Sequence, residues 1–407
     1  MRSWQHLLDG VGLFLVVFAG LNVAGIVQMA TGIEGGLSAI VFACSLLLLA
    51  GCASTKWLDP AYSWFVIFMV AYLLGGLAPL VMDGVFNAPR MISYGGTVIF
   101  SSALYFWIVQ RGATGLDLVL RVIQVLFLID CIAVMNTDSL GTIFAYDFPT
   151  ERGTGFFHNP NESAVMALYA IVLIVTTGGA SARLTALKLT IVLVALALTF
   201  SKTGFFLLAF LGVLYLLVRR FYFTLVVAIL TGIAALPSVA YIVSANPFDM
   251  TEDQRHRIEQ ILRVFAGEID NQVTTGRLEL WSMGLERISK TFPFGGGIGS
   301  LHRMEGGFTD LGGDWLGVHN TFLMVLGESG LVPFVMLLMF VFVLARSAFA
   351  SLRPLALVGI LLVFVGDMIV SHGVLAIRLH GLMLAVLMAA CALQNRAQLR
   401  LPRAGER

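Results

Sequence analysis

Long apolar runs broken by short polar turns constrain this chain more than any other feature. A helix needs about 20 apolar residues to cross the hydrocarbon core, and about twelve segments meet or approach that length. They start near Leu8, Leu37, Ala61, Ile92, Asp117, Glu162, Leu184, Thr203, Tyr222, His319, Pro354 and Val374. Backbone polar groups in lipid must be satisfied within the chain, so these runs predict helices. The expected fold is an all-α polytopic membrane bundle. The seventh and eighth segments are short and abut at "TFSKTG". Hydrophobic residues make up 58% of the 407 residues and charged ones 12%, too few charges for a water-soluble chain of this length. The first run is too long for a signal-peptide core and reads as a retained span.

Positive charge orients the bundle. With the N-terminus inside, the inner ends hold Arg2, Lys56, Arg111, Arg183, Lys188, Arg219, Arg220, Arg346 and Arg353. The short outer loops hold Arg90, Arg152 and Lys202. Both termini are therefore expected on the cytoplasmic side. Residues 1–244 form nine spans, 245–318 a large outer segment, and 319–407 the last three spans and a tail. Net charge is +1, which gives no basic bias, and no nucleic-acid partner is expected. Cys44, Cys52, Cys131 and Cys391 sit in apolar runs without CxxC spacing and read as core residues, not as a disulfide framework or zinc site.

The outer segment carries two amphipathic helices. "TEDQRHRIEQILRVFAGE" opens with a capping box, Thr251 to Gln254, and repeats Ile258, Ile261, Leu262 and Phe265 at helical spacing. "GRLELWSMGLERISKTF" aligns Leu278, Trp281, Leu285, Ile288 and Phe292. Such helices lie on the membrane surface or cap the bundle. "FGGGIGS" and "GGFTDLGGDWLG" follow; without a GK[ST] ending or a strand they read as a hinge or lid.

Polar groups converge on the outer side. "ERGTGFFHNPNESA" brings Arg152, His158, Asn159 and Asn161; "SKTG" brings Lys202; "TTGRLELW" brings Gly276 and Arg277; "GVHN" brings His319 and Asn320. Arg277 near a helix start opposes the helix dipole, a cost of about 0.3–1 kcal/mol that a bound anion relieves. Free N–H groups and a guanidinium would hold that anion together, and Gly276 would let it approach the backbone. Pairing with Glu279 is the other reading of Arg277. Lys202 either holds a ligand or snorkels to the headgroups. His319 has a near-neutral pKa suited to taking a proton from a sugar hydroxyl, or it caps its helix. Glu328 lies about half a turn from His319 and should bond another helix. Asp130 has no obvious partner. Asp367, His372, Arg378 and His380 cluster at the last outer turn, where they line the site or pair with one another. The outer loops show no convincing metal-ligand set.

"RGTGFFHNPNESA", "SKTG", "GRLELW", "PFGGGIGS" and "HNTFLMVLGESG" stand in an order that resembles the bacterial O-antigen ligase and polymerase family, from about Arg152 to Val335. The resemblance implies a GT-C-like fold, with the 245–318 segment as a periplasmic loop of an inner-membrane protein. It implies a glycosyltransferase whose donor is a glycan on undecaprenyl diphosphate, with neither metal nor cofactor. The acceptor is a lipid A core for a ligase or a growing glycan for a polymerase. Lys202 and Arg277 would hold the lipid diphosphate and His319 would activate the acceptor. Arg152, Asn161, Gly276 and Asn320 would shape the binding site. The family's short turn usually reads "SR"; lysine here keeps the charge but not the bidentate fork. The large late loop leans towards a ligase. A protein-directed oligosaccharide transferase and a twelve-span transporter are the other readings. The transporter requires polar groups near the midplane and broken helices in both halves.

Overall fold

The structure, a computed structural model, describes residues 2–31, 36–54, 56, 58–78, 86–137, 152–157, 159–177, 181–247, 249–265, 267–268, 276–301, 317–351 and 353–400. His158 and most of the second glycine-rich stretch lie outside them. The elements are helical: α1 (Arg2–Gly20), α2 (Val23–Thr31), α3 (Gly36–Cys52), α4 (Pro60–Gly75), α5 (Ala88–Met135), α6 (Pro160–Thr177), α7 (Ala182–Leu198), α8 (Lys202–Val218), α9 (Tyr222–Ala245), α10 (Glu252–Phe265), α11 (Arg277–Thr291), α12 (Thr321–Ser329), α13 (Leu331–Phe349), α14 (Pro354–Val370) and α15 (Arg378–Arg400). Among the described residues six helices are long and apolar enough to cross a membrane, and four shorter apolar helices accompany them. This is a polytopic helical membrane protein.

The spans expected to start near Ile92 and Asp117 are the two helical halves of α5. α5 runs through 48 residues but is broken at Gly112, with φ 70° and ψ −156°. That conformation is open to glycine at little cost, so the chain turns there between two helical halves. The tenth expected span is corrected. It does not run on from His319: α12 stops after nine residues. Gly330, at φ 86°, separates it from the 19-residue α13. A Cβ at Gly330 would lie 2.3 Å from the Pro293 carbonyl oxygen, so only glycine lets the two segments meet. The Leu331 N–H then donates to that oxygen at 2.8 Å.

The chain forms two compact units. Unit 1 comprises Met1–Ala24, Ile33–Leu126 and Leu280–Arg407. Its centre is α13 packed along α4, where Phe65 and Phe68 meet Phe340 at ring distances of 5.7 and 6.1 Å. Gly75 permits the approach of α12, since a Cβ there would stand 2.7 Å from the Ser329 carbonyl. Unit 2 comprises Gly25–Gly32 and Phe127–Glu279, with α6 packed against α7 and α8, and α9 against α8 and α10. The four cysteines are free thiols.

The glycine-rich stretch over residues 294–300 is not the expected hinge. It is a packed loop, with N–H groups of Gly296 and Gly297 donating to the carbonyls of Gly327 and Glu328 at 2.7 and 2.9 Å. The Glu328 carboxylate accepts the Gly299 N–H at 2.9 Å and the Tyr72 hydroxyl from α4. Glu328 thus bonds other elements, as its azimuth suggests. Positive φ at Gly295, Gly297 and Gly299 explains why the stretch is glycine. On α11 the buried face is Leu280, Gly284 and Ile288. Of the aligned apolar stripe, Leu278, Leu285 and Phe292 are 40%, 51% and 55% exposed. Gly284 decides this: a Cβ there would stand 2.7 Å from Val318, so the close contact forms on the smallest residue.

Candidate active site

In unit 2 the loop before α6 and the α7–α8 turn are fastened together. The Gly153 N–H donates to the Leu198 carbonyl at 2.9 Å. Arg152 Nε donates to the Thr199 carbonyl at 2.8 Å, and its Nη2 to Asn161 Oδ1 at 3.3 Å. The same Asn161 oxygen accepts the Ser201 hydroxyl at 2.9 Å. Ser201 is also the N-cap of α8, accepting the Gly204 N–H at 3.2 Å. Gly204 admits the close approach of Leu196 and Ala164, at 2.9 and 3.0 Å from a notional Cβ. In "SKTG" the serine therefore caps, the glycine packs, and the lysine remains for other work. Asp130, which the sequence leaves without a partner, anchors this loop by accepting the Phe156 N–H at 2.9 Å. Burial of an otherwise unpaired carboxylate is costly, so that bond fixes the loop's position.

Lys202 donates from Nζ to Gln260 Oε1 at 2.8 Å. Gln260, buried on α10, meets His256 through its amide nitrogen at 2.7 Å. Thr251 and Gln254 form the expected capping box at the start of α10, with bonds of 3.1 and 3.4 Å. Arg277 is the first residue of α11 and donates to Thr203 Oγ1 at 3.4 Å. Gly276 before it has φ 74°, with open space where a Cβ would lie. Arg152, Lys202 and Arg277 thus belong to one electrostatic neighbourhood, joined by Arg257 of α10. Burial, and then the charge of Arg257, depress the pKa of Arg152 to about 9, with Asp253 working the other way. Arg257 is tied to Asp253 at 2.8 Å. Sequence reasoning missed both Arg257 and Gln260. The helical period of α10 was the available signal, because the i, i+3 spacing of these two residues gives them one face.

In unit 1, Asn320 is the N-cap of α12 and accepts the Leu323 N–H at 3.0 Å. Its place at the head of an apolar helix therefore has a structural cause. The Thr321 hydroxyl donates to the Ser371 carbonyl at 2.6 Å, tying α12 to the α14–α15 turn. His319, half-buried with φ 44°, meets His372 of that turn Nδ1 to Nδ1 at 3.3 Å. One ring donates and the other accepts. Gly317 lies under the His372 ring, 3.1 Å from where its Cβ would stand. Burial, then His319, then Arg90 lower the pKa of His372 to about 3, so it is neutral. The last outer turn divides: His372 joins His319, whereas His380 pairs with buried Asp367 at 2.8 Å.

The arrangement offers two kinds of chemistry. Unit 2 gathers cations fit for phosphate oxygens. Unit 1 holds an imidazole able to take a proton through one nitrogen while the other is oriented. Among the described residues no three His, Cys, Asp or Glu side chains assemble as a metal-ligand group. No curated protein matches the chain. Residues 186–338, which include Lys202, Gly276, Arg277, His319 and Asn320, match the O-antigen ligase family model, and over that segment the resemblance carried by the motifs is borne out.

Proposed function

We propose that this protein transfers a glycan from undecaprenyl diphosphate to an acceptor hydroxyl, on the periplasmic face of the bacterial inner membrane. About twelve spans in a GT-C-like bundle would carry it, with 1–244 and 319–407 in the membrane and 245–318 outside. The carrying observation is the neighbourhood of Arg152, Lys202 and Arg277, two of them within the matched segment. A lipid diphosphate is an anion that such a group suits.

The acceptor oxygen bonds to the anomeric carbon of the donor sugar as the carbon–oxygen bond to the diphosphate breaks. His319 takes the hydroxyl proton through Nε2. Its Nδ1 is held by neutral His372, which orients the ring and accepts a hydrogen bond from the imidazolium that forms. Charge developing on the departing diphosphate falls to Lys202 and Arg277, with the Gly276–Arg277 backbone as a close approach. Arg152 and Asn161 position the lysine turn through Thr199 and Ser201. These cations are proposed to do the work of a metal ion, so no metal or cofactor is assigned.

The ligase reading, with lipid A core as acceptor, is favoured over a polymerase because the matched family is described as a ligase and the large outer segment lies late in the chain. A deletion strain tests it. Long glycan chains accumulating on undecaprenyl diphosphate are expected. Single repeat units would make the protein a polymerase, and unchanged surface polysaccharide would reject both.

A further inference from the structure

A groove of about 440 Å³ opens in unit 1 between the start of α3, the first turns of α5 and the turn leading into α15. Its walls are chiefly hydrocarbon, with Phe42 from α3 and Ile92 and Phe100 from α5. Gly96 lines it, and a Cβ there would meet nothing within 4 Å. One charged side chain reaches the groove, Arg378. Its guanidinium donates to Ser38 Oγ at 2.7 Å and lies over the Phe18 ring at 5.4 Å. These are neutral partners, and among the described residues Arg378 forms no ion pair. Arg378 is also the first residue of α15, where a cation opposes the helix dipole.

The two parts of this groove make different demands. A guanidinium fixed on an aromatic face and a hydroxyl is set for a phosphate or carboxylate. Aliphatic and aromatic walls beside it suit a hydrocarbon chain. An anionic lipid meets both demands in one molecule. The turn that delivers Ala376 and Arg378 to the groove also carries His372, in contact with His319, and Ser371, bonded to Thr321. A lipid seated there is thus held by the same turn that orients the proposed base. We infer that this groove seats the lipid anchor of the acceptor, with a lipid A phosphate on Arg378 and an acyl chain along Phe42, Ile92 and Phe100. The inference rests on the transfer reading for the acceptor's identity, but not for the presence of a phospholipid-type site.

The test uses the full chain in detergent, with lipid A, dephosphorylated lipid A and phosphatidylglycerol as probes in native mass spectrometry, and a transfer assay with lipid A core as acceptor. Wild type should retain lipid A about tenfold better than its dephosphorylated form, the scale of a lost charge-assisted contact. Arg378→Gln should remove that preference. Gly96→Leu should block retention of both by filling the groove, and leucine in place of glycine favours the helix. Both variants should raise acceptor KM about tenfold and leave donor KM unchanged. Retention of lipid A by both variants as by wild type, with acceptor KM unchanged, would overturn the assignment. Equal retention of phosphatidylglycerol would overturn it too, marking a site for bulk lipid. Phosphate-dependent retention without any transfer by wild type would instead remove the transfer reading and leave an anionic-lipid groove.

Discussion

Arg152, Lys202, Arg257 and Arg277 in unit 2 keep like charges close, whereas His319 and His372 in unit 1 meet as neighbouring imidazoles. Arg152, Lys202 and Arg277 donate to neutral oxygens, those of the Thr199 carbonyl, Asn161, Gln260 and Thr203, while Arg257 pairs with Asp253. These bonds orient the cations, and a charged group held in place suits phosphate oxygens. In the second group, burial and neighbouring charge hold His372 neutral, which suits it to accept a hydrogen bond from His319. His380 shows the contrast within unit 1, because its partner is the buried carboxylate of Asp367. The difference teaches that one group is organised to bind charge and the other to move a proton. Variants should therefore separate binding from chemistry.

The largest separation is expected at His319. Loss of its proton transfer in His319→Ala should lower the transfer rate on the order of 10²–10⁴-fold while donor binding persists. Single-turnover transfer beside donor binding reads this; equal loss of both would erase the division of labour. Lys202→Ala should reduce transfer about 30- to 1000-fold, as expected for losing one contact to developing phosphate charge. Lys202→Arg should retain most activity. Near-normal transfer by Lys202→Ala would make this lysine a headgroup contact.

His372→Ala should lower kcat about tenfold with donor KM unchanged, the modest effect of losing an orienting partner. His372→Asn, whose amide lies near the place of Nδ1, should recover most of it. With its pKa lowered to about 3, His372 is protonated only below that pH and neutral throughout pH 5–8. The acid limb of the pH–rate profile should therefore be the same in wild type and His372→Asn. A limb that moves with this substitution would assign titration to His372. Arg257→Ala, the smallest change, should raise donor KM about threefold to tenfold and leave kcat alone, because Asp253 already shares its charge.

Local signals in the sequence carry well into the structure. The helical runs, the Thr251–Gln254 box, the start of α11 at Arg277 and the short abutting α7 and α8 all depend on neighbours in sequence. Features that depend on tertiary approach were hidden. Gly330 ends α12 because Pro293 comes close, and Gly284 turns the face of α11 because Val318 does. The chain around either glycine gives no sign of those distant partners. Asn161 illustrates the same limit, because its bond to Ser201 joins residues far apart in the chain. Gln260 and Arg257 escaped notice because the polar face of an amphipathic helix reads as solvated.

The most direct measurement is transfer by the purified full chain, reconstituted with undecaprenyl-diphosphate-linked glycan and lipid A core in excess chelator. Wild type should form the glycan–lipid A product and release undecaprenyl diphosphate. Under the same conditions His319→Ala should bind donor but form little product, and Lys202→Ala should fail with it. Product formation that stops in chelator and returns with one divalent ion would contradict catalysis by fixed cations, as would full-rate transfer by Lys202→Ala.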